Sequence, residues 1–145
     1  MWGNKMSIER TSRDSVELCL EAIKAHEDKI NSLITVTADE ARRQADLADQ
    51  ATADGRWLGL LHGVPMAIKD NIETAGVRTT SGSKFFSDHV PNQNASVVDR
   101  LLNAGAIMVG KATMHELAFG IRSVSYTHLR AHETVLDLVC RLLLE

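Results

Sequence analysis

Two short apolar runs with a helical pattern between them constrain the fold of this chain more than any other feature. The first run, Leu60 to Ile72, is bounded by turn residues, and the second, Ala106 to Gly110, has the length of a buried strand. Between them, apolar residues recur at helical spacing, which predicts a helix capped near Asn94 or Ser96 and closed by Gly105. A strand, a helix and a strand with short links predict a parallel pair and an α/β protein.

Two further helices are predicted before the first strand. Thr11 or Ser12 can cap the first one, and three apolar residues follow at helical spacing: Val16, Leu20 and Ile23. A strand or buried turn over residues 33–36 separates it from a second helix, which begins near Ala38 and ends before Gly55. The apolar face of the second helix is expected to comprise Ala41, Ala45 and Ala48, with Leu47 alongside. Alanine buries little area, so this helix needs a large neighbour.

Composition excludes several classes of function. The 145 residues suffice for one domain, and the net charge of -3, without a basic run, gives no case for nucleic-acid binding. The apolar runs are too short to cross a bilayer, and residues 1–10 lack an apolar signal core and are expected to be an unstructured extension. Cys19 and Cys140 are too few for a disulfide framework or a metal knuckle, which favours a reducing cytoplasm.

The candidate catalytic residue is Lys69, which ends the apolar stretch after the Gly63-Val64-Pro65 turn. A lysine in such a position must either extend its ammonium group to water or change its protonation, because burying an unpaired ammonium is costly. A neutral, buried lysine is a usable base. Both alternatives follow from the residues alone.

Other polar residues are weaker candidates. His128 and His132 have metal-ligand spacing on a helix, but no glutamate lies between them to activate a zinc-bound water. Ser81 and Ser83 are interpreted as hydroxyls that stabilise a glycine-containing loop. His115 and Glu116 are adjacent, so their side chains point in different directions on a helical turn and cannot easily share a proton. Lys111 is interpreted as a surface or capping residue, and Thr113 as the cap of a final helical turn through Ala118.

Three linked motifs resemble the amidase signature family, and the resemblance covers residues 11–123. They are, in order, Gly59-Leu60-Leu61-His62-Gly63-Val64-Pro65-Met66-Ala67-Ile68-Lys69-Asp70-Asn71-Ile72, then Gly76-Val77-Arg78-Thr79-Thr80-Ser81-Gly82-Ser83, and lastly Gly105-Ala106-Ile107-Met108-Val109-Gly110-Lys111-Ala112-Thr113-Met114-His115-Glu116-Leu117-Ala118-Phe119-Gly120. The resemblance implies part of a large mixed sheet wrapped by helices. It also implies hydrolysis of carboxylic amides by a Ser-Ser-Lys triad, with no cofactor and no metal.

The family lysine falls on Lys69, and its implied role is that of a base. A neutral lysine accepts a proton through a bridging serine with a cis peptide bond, and a second serine then attacks the amide carbonyl to form an acyl-enzyme. Backbone amides of a Gly/Ser-rich loop stabilise the oxyanion, and water releases the acid. The resemblance places both serines in a Gly-Gly-Ser-Ser-Gly-Gly type segment after Ser123, and this sequence contains no such segment. We therefore expect no amide hydrolysis by this chain.

Residues 124–145 resemble a translated sequencing adapter rather than a natural continuation. The stretch Val-Ser-Tyr-Thr-His-Leu-Arg-Ala-His-Glu-Thr, residues 124–134, matches the translation of a transposon-type library oligonucleotide. Residues 135–136 then correspond to a variable index, and residues 137–144 to the flanking primer. An amphipathic helix is the alternative, since Val135, Leu138, Val139 and Leu142 share one stripe. We interpret this tail as an artefact and exclude it from the fold.

Three functional hypotheses follow. The first is a truncated amidase whose parent enzyme cleaves small amides. The sequence Met114-His115-Glu116 favours this hypothesis. The second is part of the glutaminase component of a tRNA-dependent amidotransferase, which uses the same motifs. The third is a non-catalytic interaction module that binds a relative through an unfinished sheet. Because the strands at Lys69 and Val109 are expected to lack partners on at least one side, self-association through a strand edge is also expected.

Overall fold

The computed structural model describes residues 10–119, which form a three-stranded mixed sheet with helices on both faces. The elements follow the order α1 (Ser12–Ile30), β1 (Leu33–Val36), α2 (Ala38–Ala53), β2 (Pro65–Lys69), α3 (Ser96–Asn103) and β3 (Ile107–Ala112). β3 lies in the centre, antiparallel to β1 and parallel to β2. The α/β class and the predicted parallel pair are therefore confirmed.

One expectation about the sheet edges is confirmed and one is wrong. Within residues 10–119, β2 pairs with β3 alone and so has an open side. The strand that contains Val109 instead has a neighbour on each side, because the short run at residues 33–36 is a strand rather than a buried turn. Residues 1–9, and the proposed adapter tail with His128 and His132, lie outside the described residues.

The first helix begins where the sequence predicts. The Thr11 hydroxyl accepts a hydrogen bond from the Asp14 amide at 3.0 Å, and the Asp14 carboxylate accepts one from the Thr11 amide at 3.2 Å. This capping box satisfies two amides that the helix itself leaves free. Asp49 of α2 adds a second cap, because its carboxylate accepts from the amides of Ser12 and Arg13 at 2.6 and 3.0 Å. The start of α1 is thus tied to the end of α2.

Each face of the sheet has its own apolar cluster. On one face, Ile107 and Val109 of β3 pack against α1 and α2 in a cluster completed by Val16, Cys19, Leu20, Ala41, Ala45 and Ala48. On the other, Met108 and Ile68 pack with Val98 of α3. Residues 107, 108 and 109 alternate between the clusters as side chains of a strand do.

The buried face of α2 contains fewer residues than the sequence predicted. Its buried face consists of alanines, as predicted, and these small side chains let α2 approach α1 and β3 closely. The expectation that Leu47 joins this face is wrong, since half of Leu47 remains exposed. Leu47 precedes Ala48 by one residue, so it lies about 100° around the helix from the buried stripe.

The predicted strand from Leu60 to Ile72 is mostly a turn, and only Pro65–Lys69 is a strand. The chain before Pro65 docks on the loop that precedes β3, where the amides of Leu61 and Gly63 donate to the carbonyls of Ala104 and Gly105 at 2.9 Å each. Gly105 has φ +92°, and a Cβ there would lie 2.8 Å from the Cα of His62. Glycine is therefore required at this crossing.

The predicted helix caps near α3 and at the end of the described chain are wrong in detail. The N-cap of α3 is Ala95, and Asn94 instead accepts a hydrogen bond from the Ala75 amide at 2.7 Å. The final turn is a short 3-10 helix over residues 116–118 that begins after His115, not after Thr113. In both places a contact with a distant backbone group fixes the chain: the Asn94 side chain accepts from the Ala75 amide, and the Thr113 amide donates to the Ser32 carbonyl.

Candidate active site

The carboxyl ends of β2 and β3 bring the predicted site residue next to a group of polar loops. Lys69, the last residue of β2, is the register partner of Ala112, the last residue of β3. The loop after β2 and the segment after β3 both begin at this edge and pack together, since the Leu117 amide donates to the Ser81 carbonyl at 2.8 Å. In α/β proteins, ligands commonly bind outside the carboxyl ends of parallel strands.

Lys69 itself extends into solvent. Its side chain is exposed, and among residues 10–119 its ammonium group has no hydrogen bond or ion pair. Its carbonyl accepts a hydrogen bond from the Ile72 amide at 3.0 Å, which fixes the turn directly after the strand. Of the two alternatives drawn from the sequence, the structure shows the solvent-reaching one. The role of Lys69 as a base stays a prediction.

The buried lysine of this structure is Lys111, and its interpretation as a surface or capping residue is wrong. Its side chain is fully buried, and its ammonium group donates three hydrogen bonds. The acceptors are the Ile72 carbonyl at 2.5 Å, the Thr79 hydroxyl at 2.8 Å and the Thr74 hydroxyl at 3.2 Å. All three belong to the loop after β2, so Lys111 links that loop to the central strand.

A β-bulge decides which way Lys111 points. The β2–β3 register pairs Met66 with Met108 but Ala67 with Gly110, so β3 carries one extra residue between the two pairs. Simple alternation from Ile107 through Val109 would place Lys111 on the face covered by α1 and α2. The bulge reverses that parity and pairs Lys111 with Ile68, whose side chain belongs to the opposite cluster. Bulges beside functional sites commonly re-aim a side chain in this way.

Asp70 is the second buried charge at this edge. Its side chain has no exposed area, and one carboxylate oxygen accepts hydrogen bonds from both the amide and the hydroxyl of Thr80. Its amide donates to the Ala112 carbonyl and its carbonyl accepts from the Ser81 amide, each at 3.1 Å. The other carboxylate oxygen, Oδ1, is buried without a partner among the described residues.

The two buried charges affect each other through the low-dielectric interior. Burial lowers the pKa of Lys111 from 10.5, and the negative charges of Asp70 and Glu73 act in the opposite direction. Removing an ammonium group from water disfavours its charged form, whereas nearby carboxylates and three acceptors favour it. Asp70 and Lys111 therefore form a compensating pair without a direct ion-pair contact.

The remaining polar candidates stabilise the loops, as predicted for Ser83. Its hydroxyl donates to the Glu116 carboxylate at 2.7 Å and accepts from the Phe85 amide at 3.3 Å. Ser81 contributes its backbone rather than its hydroxyl, and it has φ +52°. No hydrogen bond joins His115 to Glu116 within the described part of the chain, where Glu116 accepts from the Ser83 hydroxyl.

Sequence reasoning missed Lys111 and Asp70. The signal for Lys111 was present, because the argument that a lysine beside an apolar strand must find partners applies to Lys111 after Ala106–Gly110 as much as to Lys69. What the sequence did not show was the bulge. Within residues 10–119, no cluster of three His, Cys, Asp or Glu side chains could hold a metal ion, and no helix is long and apolar enough to cross a membrane.

The mixed sheet, with helices on both faces and polar loops at the carboxyl ends of β2 and β3, defines an α/β fold. The model of the Amidase family matches residues 14–133, and the chain therefore belongs to the amidase family. The predicted resemblance is confirmed.

Curated relatives are similar over most of this chain. A Glutamyl-tRNA(Gln) amidotransferase subunit from Cyanothece sp. is 43% identical over 115 residues, which are 79% of this chain and 24% of that protein. The corresponding protein of Moorella thermoacetica is 44% identical over 112 residues, 77% of this chain and 23% of that protein. The chain thus spans about a quarter of the length of the curated relatives it matches.

Solved structures share the fold. Native peptide amidase from Stenotrophomonas maltophilia superposes with a TM-score of 0.70 at 33% identity, over 74% of this chain and 22% of that one. A chain from a vestigial protein complex that reveals the evolutionary origins of an s-triazine catabolic enzyme gives a TM-score of 0.76 at 33% identity, over 82% and 26%.

Proposed function

We propose that this chain is the lysine-bearing part of an enzyme that hydrolyses carboxylic amides, with Lys69 as the proton acceptor. The observation that carries the proposal is the position of Lys69 at the carboxyl end of a parallel strand, exposed and without a partner among residues 10–119. Such an amine can approach a hydroxyl supplied by another part of the enzyme. Once neutral, it can accept the proton of an attacking serine through the bridging serine.

The chain alone lacks the other half of this chemistry. No Gly-Gly-Ser-Ser-Gly-Gly type segment occurs in these 145 residues, and the resemblance places the bridging and nucleophilic serines in such a segment. No cofactor or metal enters the proposed reaction. We infer that the enzyme acts in the cytoplasm. The 145-residue chain should therefore turn over no simple aryl or alkyl amide. Turnover that is abolished by Lys69→Ala would contradict this part of the proposal.

A chimera tests the role of Lys69 directly. Residues 14–119 would replace the equivalent stretch of the Stenotrophomonas maltophilia peptide amidase, which is 33% identical. We expect Lys69→Ala to lower kcat by about a thousandfold, because general-base catalysis contributes roughly 10²–10⁴-fold. Lys84→Ala is the matched control, since Lys84 is an exposed lysine of the loop after β2. Full activity in the Lys69→Ala chimera would exclude Lys69 as the base.

A specific observation favours glutamine as the amide. The curated relatives described above are components of amidotransferases at 43% and 44% identity, whereas the two superposed structures are at 33%. These relatives support the glutaminase hypothesis over the small-amide hypothesis, which the sequence Met114-His115-Glu116 favoured. Because the chimera would inherit its substrate pocket from the host, this question needs the coding sequence downstream of residue 123. A higher kcat/KM for glutamine than for an aryl amide would support the glutaminase, and the reverse would support a small-amide amidase.

The open side of β2 favours self-association as the alternative, non-catalytic behaviour of this chain. An unpaired strand edge can add a strand from another molecule, and the turn before it exposes apolar side chains, including Leu60 at 98% and Val64 at 44%. Sedimentation velocity should then show mass increasing with concentration, and Val64→Lys should reduce that increase. A monomer at all concentrations would exclude association.

A further inference from the structure

We propose that Lys111 and Asp70, linked by Thr74, Thr79 and Thr80, are positioning residues that fix the turn after β2 and so orient Lys69. The inference rests on the proposed function of Lys69 for its catalytic meaning. Its structural content is independent of that function, because it concerns which contacts hold the backbone around Lys69.

The backbone around Lys69 is fixed on both sides of the turn. The Asp70 amide binds the central strand at Ala112, and the Asp70 carbonyl binds the amide of Ser81 on the returning loop. The Lys69 carbonyl binds the Ile72 amide. Three backbone hydrogen bonds therefore converge on two consecutive residues. The point at which the Lys69 side chain leaves the sheet is set by these contacts.

The buried side chains hold the returning loop in place. Lys111 binds the Ile72 carbonyl and the hydroxyls of Thr74 and Thr79, while Asp70 binds both the amide and the hydroxyl of Thr80. All of these side chains except that of Ile72 are at least nine-tenths buried. Because Thr79 and Thr80 are adjacent, one segment of loop is held by a cation from β3 and by an anion that directly follows β2.

The charges of this network are balanced, which explains why it can be buried. An isolated ammonium or carboxylate in the interior is expensive, but each charge here has hydrogen bonds and an opposite charge nearby. The unpartnered Oδ1 of Asp70 is the one acceptor of this network that the described residues leave open. An apolar core could hold the loop as well, yet it would not fix its direction as hydrogen bonds do.

The network makes a prediction that a simple stabilising role does not. If it orients Lys69, then loosening one hydroxyl contact should change the chemical environment of Lys69 more than that of other exposed lysines. Thr79→Val removes the hydroxyl that Lys111 binds, and Thr80→Val removes the hydroxyl that binds Asp70, while both keep the β-branched shape. Thr79→Ser and Thr80→Ser restore the hydroxyl and serve as matched controls.

The experiment is competitive acetylation of the 145-residue chain over a series of pH values, with each lysine quantified by peptide mass spectrometry. We expect both valine variants to change the acetylation rate of Lys69 by about threefold or more, because the turn that carries its side chain is loosened and its amine is solvated differently. The serine variants should restore the profile of the unmodified chain. The exposed lysines Lys24 and Lys29 of α1 should keep their profiles in all variants.

Two outcomes would overturn the proposal. An unchanged Lys69 profile in both valine variants would show that the network does not act on Lys69. A parallel change at all exposed lysines, or one that serine does not reverse, would show a general effect on folding. Because acetylation needs no catalytic activity, these outcomes are separate from the chimera assay. A chimera that stays active with Lys69→Ala would reject the proposed function and leave the acetylation result standing.

Discussion

Two regions of this sheet, one face and the carboxyl edge, are held together by different kinds of contact. On the face covered by α1 and α2, contacts are apolar and close, made by small or branched side chains such as Ala45 and Ile107. At the carboxyl edge, the loop after β2 is held by Lys111 and Asp70, both fully buried. The helix-covered face, meaning the face under α1 and α2, has non-directional apolar contacts, whereas the edge has specific donors and acceptors that must each be satisfied.

The difference separates stability from orientation. Burying apolar area contributes most of the free energy of folding but is non-directional. A buried pair of opposite charges contributes little net stability, and replacing both members with apolar side chains is often neutral, whereas removing one member leaves the other uncompensated. We therefore expect apolar truncations in the helix-covered face to lower the free energy of unfolding at every pH. Substitutions at the edge should also change its pH dependence and the environment of Lys69.

The largest expected effect is that of Ile107→Ala. Ile107 is 1% exposed and lies at the centre of the helix-covered face, so the substitution should lower the free energy of unfolding by about 3 kcal/mol. Urea denaturation at one protein concentration measures the change. Leu47→Ala is the control, because Leu47 is half exposed and should cost little. Equal losses in the two variants would show that the helix-covered face is not the main apolar core.

A smaller effect is expected for Asp49→Asn, which tests the tie between α2 and α1. Burial acts to raise the pKa of Asp49, but hydrogen bonds from the amides of Arg13 and Ser12 outweigh it and lower the pKa below 3.8. The stabilisation is thus present above pH 3.8 and lost as the pH falls through the lowered value. At pH 7 the substitution should cost about 1 kcal/mol, and the difference from the unmodified chain should shrink in acid.

Urea denaturation at about pH 7 and about pH 3 measures this effect, since the two values lie on either side of the ordinary aspartate pKa. Asp28→Asn provides the comparison, because Asp28 is an exposed carboxylate of α1, the helix whose start Asp49 caps. A pH-independent cost for Asp49→Asn would show that the cap does not depend on the carboxylate charge.

Lys111→Met tests the pH dependence of stability above neutral pH, apart from the loss at neutral pH that follows from leaving the buried Asp70 without its opposite charge. The pKa of Lys111 is lowered by burial, so between that lowered value and 10.5 the unfolded chain binds more protons than the folded chain. The free energy of unfolding should then rise with pH across this interval, and Lys111→Met should abolish that rise. Denaturation midpoints from neutral pH to pH 10.5 measure it. A rise that persists in Lys111→Met would assign the dependence to another group.

Local sequence patterns predicted the helix-covered face well. The capping residue Thr11, the alanine stripe of α2 and the parallel pair each follow from residue spacing within a few turns or one crossover. The predictions failed where a distant contact competed with a local one, as at Asn94, which bonds Ala75 instead of capping α3. The carboxyl edge was predicted only in part: Lys69 was placed at a strand end, but the network behind it was not foreseen.

The order of strands and helices, the amidase family and the position of Lys69 were all contained in the sequence, because periodicity, caps and linked motifs are local properties. Tertiary structure alone decided that the buried lysine is Lys111 and the exposed one Lys69. One extra residue in β3 reversed the side on which Lys111 lies, and its three acceptors come from a loop 32 to 39 residues earlier in the chain. A strand's side-chain parity depends on its register with a neighbour, and register is fixed only when the sheet assembles.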